Sequence, residues 1–265
     1  MENIQIINSN DALQALNRSE IDIQISTAKQ YPRDLKKVLS NIRVYATMDE
    51  DTAEDCFYAL KRGYGSDQQL IEGLSVRLAE IFADCWGNLR VSTRIIGNDG
   101  KTITAQGVCH DLETNVAVCV EVKRRITDKR GQTYSEDMQV VTGNAASAIA
   151  FRNAIFKVIP KAVTKKVIED IKQVAIGQAN DLEKKRSATI KWFEGRGITV
   201  EEILRYIEVD CVESIDAEKL LTLRSTANAI KEGTTTLSET FKQNPITVEE
   251  QKNKMRKEGT PAKLL

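Results

Sequence analysis

The sequence contains little proline and few aromatic residues, and none of its apolar runs is long enough to cross a membrane. Of its 265 residues, four are proline, 5% are aromatic and 41% are hydrophobic. So little proline excludes collagen-like and proline-rich chains, and every apolar run falls short of the ~18 residues that a membrane span needs. The first ten residues also lack the basic and apolar regions of a signal peptide. We therefore expect a cytoplasmic protein with a hydrophobic core and no membrane partner.

Cysteine and histidine are too sparse for the usual metal sites. The five cysteines are widely spaced without a Cys-x-x-Cys pair, and His110 is the only histidine. This excludes a two-histidine metal site, and the cysteines are typical of free thiols in a reducing compartment. Cys109 directly precedes His110, but neighbouring strand residues point to opposite faces, which disfavours a catalytic pair. The sequence predicts no metal and no other cofactor.

Charge is segregated along a chain whose total is neutral. Lysine and arginine number 38, as do aspartate and glutamate, yet residues 85–191 hold eighteen cations and eleven anions. A basic segment in an otherwise acidic chain is typical of proteins that bind a polyanion. The segment 86–172 is therefore the first place to look for a function.

Hydrophobic periodicity predicts an α+β fold. Ile21, Ile23 and Ile25 alternate with polar residues, which predicts a strand. Helices are predicted at 33–44, after the acidic residues 49–51 and ending near 62–65, and at 75–86. Three antiparallel segments follow at 89–95, 102–109 and 116–126, with Gly97-Asn98-Asp99-Gly100 as the first turn. A fourth short strand is predicted near 139–141.

A helical period begins at residue 142 and continues to 159, and a basic helix is predicted at 161–179. We expect an antiparallel β-meander packed by this long central helix, with a small C-terminal helical domain. The predicted domains are 1–180 for DNA binding, annealing and oligomerisation, 181–241 for the helical domain, and 242–265 as a disordered tail.

Two motifs suggest enzymes. Gly97 to Thr102 ends like a phosphate-binding loop, but its first glycine is missing and it joins two strands instead of a strand and a helix. Asp111, Glu121 and Lys123 have the spacing of Mg²⁺-dependent PD-(D/E)xK nucleases, in which carboxylates hold the metal and lysine assists the attacking water. The other interpretation of the three is a loop aspartate beside the polar face of a charged strand.

The candidate DNA-binding residues are cations of the basic segment, with one aromatic residue. Lys123, Arg124 and Arg125 precede a turn that holds Lys129 and Arg130, and Tyr134 lies nearby as a stacking candidate. A cationic groove with occasional aromatic residues is how proteins hold single strands without reading their sequence. Trp86 is a second stacking candidate, although its place at an apolar helix end favours the core. The full set is Arg90, Arg94, Lys123, Arg124, Arg125, Lys129, Arg130, Tyr134, Arg152, Lys157 and Lys161.

Several segments resemble phage-type single-strand annealing proteins of the RecT/Erf/Redβ superfamily. The resemblance covers roughly residues 20–180, and residues 220–233 resemble the small C-terminal part of such proteins. The segments that carry it are IQISTAKQYPR (23–33), RLAE (77–80), WGNLR (86–90), TAQG (104–107) and TGNAASAIAFRNA (142–154).

This resemblance implies a non-enzymatic DNA-annealing protein that needs no ATP. It implies side-by-side assembly into rings or filaments with DNA in a basic groove, and partners that include single-stranded DNA, nascent duplex, a phage exonuclease and a host single-strand-binding protein. The family's basic strand and central-helix cations correspond by region to Lys123, Arg124, Arg125, Arg152 and Lys157. Glu121 departs from this pattern because a carboxylate on that strand would repel phosphate. A structural DNA-coating protein is the third hypothesis.

Overall fold

The computed structural model describes residues 9–62, 69–128, 130–177 and 182–241, with the side chains of 9–13 excepted. The described residues fall into two compact units, one of residues 9–56 and 74–177 and one of residues 57–62, 69–73 and 182–241, with residue 129 of the first range not described. The elements in chain order are α1 (Ser9–Gln30), α2 (Leu35–Ala46), α3 (Glu50–Asp55), β1 (Phe57–Arg62), β2 (Gln69–Leu74), α4 (Val76–Trp86), β3 (Leu89–Asn98), β4 (Thr102–Asp111), β5 (Val116–Arg125), α5 (Glu136–Val158), α6 (Lys161–Ile176), α7 (Leu182–Glu194), α8 (Val200–Ile207), a 3₁₀ turn (Val212–Ser214), α9 (Ala217–Lys231) and α10 (Leu237–Thr240).

The first unit is built on the predicted β-meander. β3, β4 and β5 pair antiparallel in sequence order. The first turn forms because the Asp99 carboxylate accepts hydrogen bonds from the amides of Lys101 and Thr102, at 2.9 and 2.6 Å. The amides of Thr102 and Lys101 lower the pKa of the Asp99 carboxyl to about 2. Gly100 adopts the left-handed conformation that this turn requires, with φ of +77°.

The long central helix α5 covers one face of the meander. Every second residue of β4 from Ile103 to Asp111 is buried, and the buried cluster at this interface joins Ile103 and Ala105 to Ala146 and Ala150 of α5. Small residues allow the helix to approach the sheet closely. A Cβ on Gly107 would lie 2.4 Å from the carbonyl oxygen of Ala150, so glycine is required there.

The remaining helices pack behind α5. α4 packs against α5 and α2, and α6 packs against α2 and α3. α4 begins at Ser75, whose side chain accepts a hydrogen bond from the Leu78 amide. The rings of Phe82 on α4 and Phe156 on α5 meet edge to face at 5.5 Å. The first unit is therefore layered as the sheet, then α5, then a group formed by α2, α3, α4 and α6.

The second unit combines helices with a two-stranded sheet of β1 and β2. α9 packs on β1, and a core of helical residues surrounds Phe193, Tyr206 and Phe241. The Tyr206 hydroxyl lies 3.0 Å from that of Thr226 inside this core. The predicted boundary near residue 180 falls beside the division at 177 and 178, but residues 57–73 were not expected in this unit.

The predicted α+β class, the meander and the central helix are confirmed. Three local predictions are wrong. Residues 21–25 lie in α1 and not in a strand, residues 139–141 lie in the first turns of α5, and the segment 57–62 is strand β1 and not the end of a helix. The predicted tail at 242–265 lies outside the described residues. None of the helices described is long and apolar enough to cross a membrane.

Candidate nucleic-acid interface

The meander presents a second face, opposite α5, that is largely exposed. We define the open face by the alternate residues that point away from α5. Its members in register are, on β3, Arg90, Ser92 and Arg94; on β4, Thr102, Thr104, Gln106, Val108 and His110; and on β5, Ala117, Cys119, Glu121, Lys123 and Arg125. All five β5 residues of this set are exposed, and so are Ser92 and Arg94. This face is therefore accessible in the first unit.

Four of the predicted cations share the open face. Arg94 donates from Nε and Nη2 to Oε1 of Gln106, at 2.9 and 2.8 Å, which joins its guanidinium to the neighbouring strand β4. Arg90 Nη1 donates to Gln24 Oε1 of α1, at 3.1 Å. Lys123 and Arg125 project from β5, in register with Thr104 and Thr102. Within the described residues no ion pair engages any of these four cations.

Glu121 lies on the same open face. It is exposed and in register with Gln106, so it shares a row with Arg94. Among the described residues it is the one carboxylate of this face. The open face therefore carries four formal positive charges and one negative charge, excluding the bordering turns.

The basic run on β5 is divided between the two faces of the sheet. Arg124 is in register with Ile103, so it points to the α5 side and is half-buried, whereas Lys123 and Arg125 point to the open side. This alternation follows from the two-residue period of a strand. Only two of the three consecutive cations can therefore contact one ligand on the open face.

The turn after β5 contributes Arg130, and Tyr134 is placed for packing. Arg130 is exposed, and its amide donates to Asp128 Oδ1 at 2.8 Å. Lys129 lies outside the described residues. Tyr134 is half-buried against the cluster of Ile103, Ala105 and Ile126, so its ring serves the core of the first unit.

The three predicted helix cations do not join the open face. Arg152 is 8% exposed on α5, and its Nε donates to Asn153 Oδ1 at 3.3 Å. Lys157 is exposed on α5, and Lys161 is exposed at the start of α6. Because α5 covers the other face of the sheet, these side chains lie behind the open face. Arg152 is therefore largely buried, whereas Lys157 and Lys161 are accessible.

The structure does not bring the nuclease-like residues together. Asp111 is on the α5 side of the sheet, whereas Glu121 and Lys123 are on the open side. Asp111 is in register with Val116, so Glu121 lies five residues, or about 17 Å, further along β5. Ligands of one metal ion must approach it within about 2.6 Å. Among the described residues, no group of three or more histidine, cysteine, aspartate or glutamate side chains is arranged to hold a metal ion.

Asp111 instead belongs to a buried ion-pair network. Arg33 binds it with two hydrogen bonds, of 2.6 and 2.7 Å, and donates through Nε to Glu113 Oε1 at 2.9 Å. Asn88 Nδ2 also donates to that Glu113 oxygen, at 2.6 Å. Burial would raise the pKa of the Asp111 carboxyl, but the hydrogen bonds and charge of Arg33 outweigh burial and lower it.

Trp86 is a core residue whose ring packs against Arg33 of this network. Its side chain is 3% exposed, and the Arg33 guanidinium carbon lies 4.9 Å from its ring centroid. The expectation that Trp86 belongs to the core is confirmed. Two segments that resemble the annealing family, 23–33 and 86–90, therefore meet at one end of the sheet through Arg33, Trp86 and Asn88.

Sequence reasoning missed the neutral residues of the open face. Gln106 orients Arg94, and Thr104 lies between Gly97 and Lys123 in the same row. Residues of β4 alternate between the two faces, and the lengths of the β3–β4 and β4–β5 turns set the strand register. Together these two features would have identified Gln106 and Thr104 as neighbours of the cations. The contact between Arg90 and Gln24 had no such signal, because the segment around Gln24 was predicted as a strand.

No protein-family model, curated protein sequence or solved structure matches this chain. What the open face can bind is therefore inferred from its own residues.

Proposed function

We propose that this chain binds single-stranded DNA along the open face and that its assembled copies pair complementary strands without ATP. The observation that carries the proposal is the group of four cations, Arg90, Arg94, Lys123 and Arg125, on one accessible face. These cations have no ion-pair partner in the described structure. Phosphate groups are the ligands that would neutralise such a row. The resemblance to single-strand annealing proteins supports the same function.

The neutral residues of the open face favour a ligand that keeps its bases free. Between the cations lie serine, threonine, glutamine, valine and one histidine, and none of the face's residues in the described chain is phenylalanine, tyrosine or tryptophan. Proteins that stack bases use aromatic side chains as platforms. A strand held here through phosphates would leave its bases directed away from the protein. Bases in that orientation can pair with a complementary strand, which is the requirement for annealing.

Assembly would extend the cationic row from copy to copy. β3 and β5 are the outer strands of the meander in the described structure, and Ile95 and Ile96 on β3 are 46% and 44% exposed. Exposed strand edges with apolar side chains are surfaces on which further copies can add. We therefore propose a homo-oligomer as the annealing form, with a phage exonuclease and a host single-strand-binding protein as functional partners.

The two neighbouring arginines of β5 provide a matched test. Arg125→Ala removes a cation from the open face, whereas Arg124→Ala removes one from the α5 side. We expect Arg125→Ala to weaken binding of a fluorescent oligothymidylate about tenfold and to reduce the salt dependence by about 0.7 in log Kd per log salt. Arg124→Ala should leave that slope unchanged. Equal losses in both variants, or none in Arg125→Ala, would contradict the assignment of the open face.

The cysteines provide a second test that needs no substitution. Cys119 is exposed on the open face, midway along β5, and Cys211 is exposed in the second unit. Burial raises the pKa of the Cys56 and Cys109 thiols to about 12 and that of Cys85 to about 11, so these three should react slowly. Oligothymidylate should slow maleimide modification of Cys119 and leave Cys211 unaffected, as measured by peptide mass spectrometry. Unchanged Cys119 reactivity at saturating DNA would place the DNA elsewhere.

Annealing must be measured separately from binding. Two complementary labelled strands should pair faster with the protein than without it, in buffer free of nucleotide, and Arg125→Ala should lose most of this acceleration. A protein that binds both strands but does not accelerate pairing would be a coating protein instead.

A further inference from the structure

A groove lies between α2 and α6 in the helical layer of the first unit. Its floor is formed by the aliphatic side chains of Leu39, Val163 and Val167, and its volume is about 250 Å³. Lys36, Arg43 and Lys166 stand around this floor. The groove therefore combines an apolar base with a cationic rim.

The packing of the two helices explains the apolar base. α2 buries Val38, Ile42 and Ala46 at intervals of four residues, and α6 buries Val167, Ile171 and Ala175 in the same way. Leu39 and Val163 flank these stripes and remain half-buried. They leave an apolar surface that the chain's described residues do not cover.

The three cations around the rim differ in whether a carboxylate of the described chain neutralises them. Arg43 is paired with Asp170 across the two helices. Lys36 and Lys166 are exposed, and neither ammonium has a carboxylate partner within the described chain. Of the nearby acids, Asp34 caps α2 by accepting from the amides of Lys36 and Lys37, and Glu169 lies 3.8 Å from Lys165. Two unpaired cations therefore remain beside the floor.

We propose that this groove binds a short acidic peptide of a partner protein, with one or two large apolar side chains on the floor and carboxylates at Lys36 and Lys166. The volume suits one or two side chains, and the rim is complementary to acidic flanks. A DNA strand fits less well because its phosphates would lie over aliphatic carbon and no aromatic ring lines the groove to stack a base. The α2–α6 layer and the open face lie on opposite sides of α5, so peptide and DNA can be bound together.

The direct test is fluorescence anisotropy with a labelled heptapeptide of four aspartates, two leucines and one phenylalanine. The full chain should bind it, and Lys36→Glu/Lys166→Glu should raise the Kd at least about tenfold, which corresponds to about 1.4 kcal/mol. Ser40→Trp, which fills the groove without changing charge, should also weaken binding. The matched control is Lys37→Glu/Lys165→Glu, which makes the same charge change on the same two helices at residues that do not line the groove. Circular dichroism checks that all variants fold.

Four outcomes would overturn the proposal. They are no measurable binding by the full chain, equal weakening in the control variant, unchanged binding in Ser40→Trp, and equal affinity for a peptide whose apolar residues are serine. Loss of oligothymidylate binding in Lys36→Glu/Lys166→Glu with peptide binding intact would assign the groove to DNA instead. Failure of the open face to bind DNA would not affect this test, because the peptide is measured without DNA.

Discussion

At the scale of single residues, Arg33–Asp111 is the most buried ion pair found among the described residues, so we expect its loss to reduce stability strongly. The two side chains are 9% and 6% exposed. Removing one partner of a buried pair costs about 3–5 kcal/mol, and Glu113, which also accepts from Arg33, holds the expected loss at the lower end of that range. We therefore expect Asp111→Asn to lower the free energy of unfolding by about 3 kcal/mol at pH 7. Urea unfolding followed by Trp86 fluorescence, in a Trp192→Phe background, would measure it.

The pH dependence of the difference in unfolding free energy between wild type and Asp111→Asn tests whether the lost charge causes it. The pKa of Asp111 is lowered in the folded chain, so its contribution is complete above the unfolded value near 3.8 and is lost as pH falls through the folded value. The gap between wild type and Asp111→Asn should stay constant from pH 7 to about pH 5 and shrink below about pH 4. A gap that persisted at low pH would mean that packing, and not charge, is lost.

The sequence predicts some side-chain positions in the candidate site, but it could not predict others. The division of Lys123, Arg124 and Arg125 between two faces is a direct consequence of strand periodicity. The same rule, with the register Asp111–Val116, separates Asp111 from Glu121. The partner of Asp111 was not predictable, because Arg33 is 78 residues away in sequence. A salt bridge at that separation leaves no local pattern.

At the scale of elements, two wrong predictions have the same cause. Ile21, Ile23 and Ile25 fit a strand, yet Ile21 and Ile25 also share one side of α1, where both are half-buried, while Ile23 is 65% exposed on the other side. Val140 and Val141 likewise suggested a strand within α5. The stronger signals there were Ser135, whose side chain caps the Met138 amide, and the acidic Glu136 and Asp137 in the first turn.

The contact between α5 and β4 can be tested at Gly107. An added Cβ would lie 2.4 and 2.5 Å from backbone atoms of Ala150, and backbone in a helix cannot move aside alone. Gly107→Ala should lower the free energy of unfolding by at least about 2 kcal/mol, because overpacking shifts the whole helix. Gly97→Ala is the control, since its Cβ would lie 3.9 Å from Thr104 on the same sheet, and its effect should stay within about 0.5 kcal/mol. Similar costs at both glycines would show that α5 does not pack as closely as described.

At the scale of the whole molecule, neither of the two units is one continuous stretch of the chain. Strands β1 and β2 pair with each other in the second unit, and the chain rejoins the first unit at Leu74. The Cys56 carbonyl accepts a hydrogen bond from the Ser75 amide at 2.9 Å. The points at which the chain leaves and rejoins the first unit are therefore adjacent. No local pattern predicts this, because residues 57–62 follow an acidic helix start without an intervening turn signal. Their packing partner α9 begins only at Ala217. A contiguous first domain was the natural but incomplete expectation.

This interruption predicts how the chain can be shortened. A truncation that keeps residues 1–177 removes α9 from β1 and should expose Ala59 and Leu60, which are now 0% and 4% exposed. A second truncation, with residues 57–73 replaced by a short glycine–serine linker from Cys56 to Leu74, removes that apolar strand as well. We expect the first protein to bind a hydrophobic dye and aggregate, and the second to unfold cooperatively in urea and keep its sensitivity to Asp111→Asn. If both fragments behave alike, strands β1 and β2 do not depend on α9, and residues 1–177 are an independent domain.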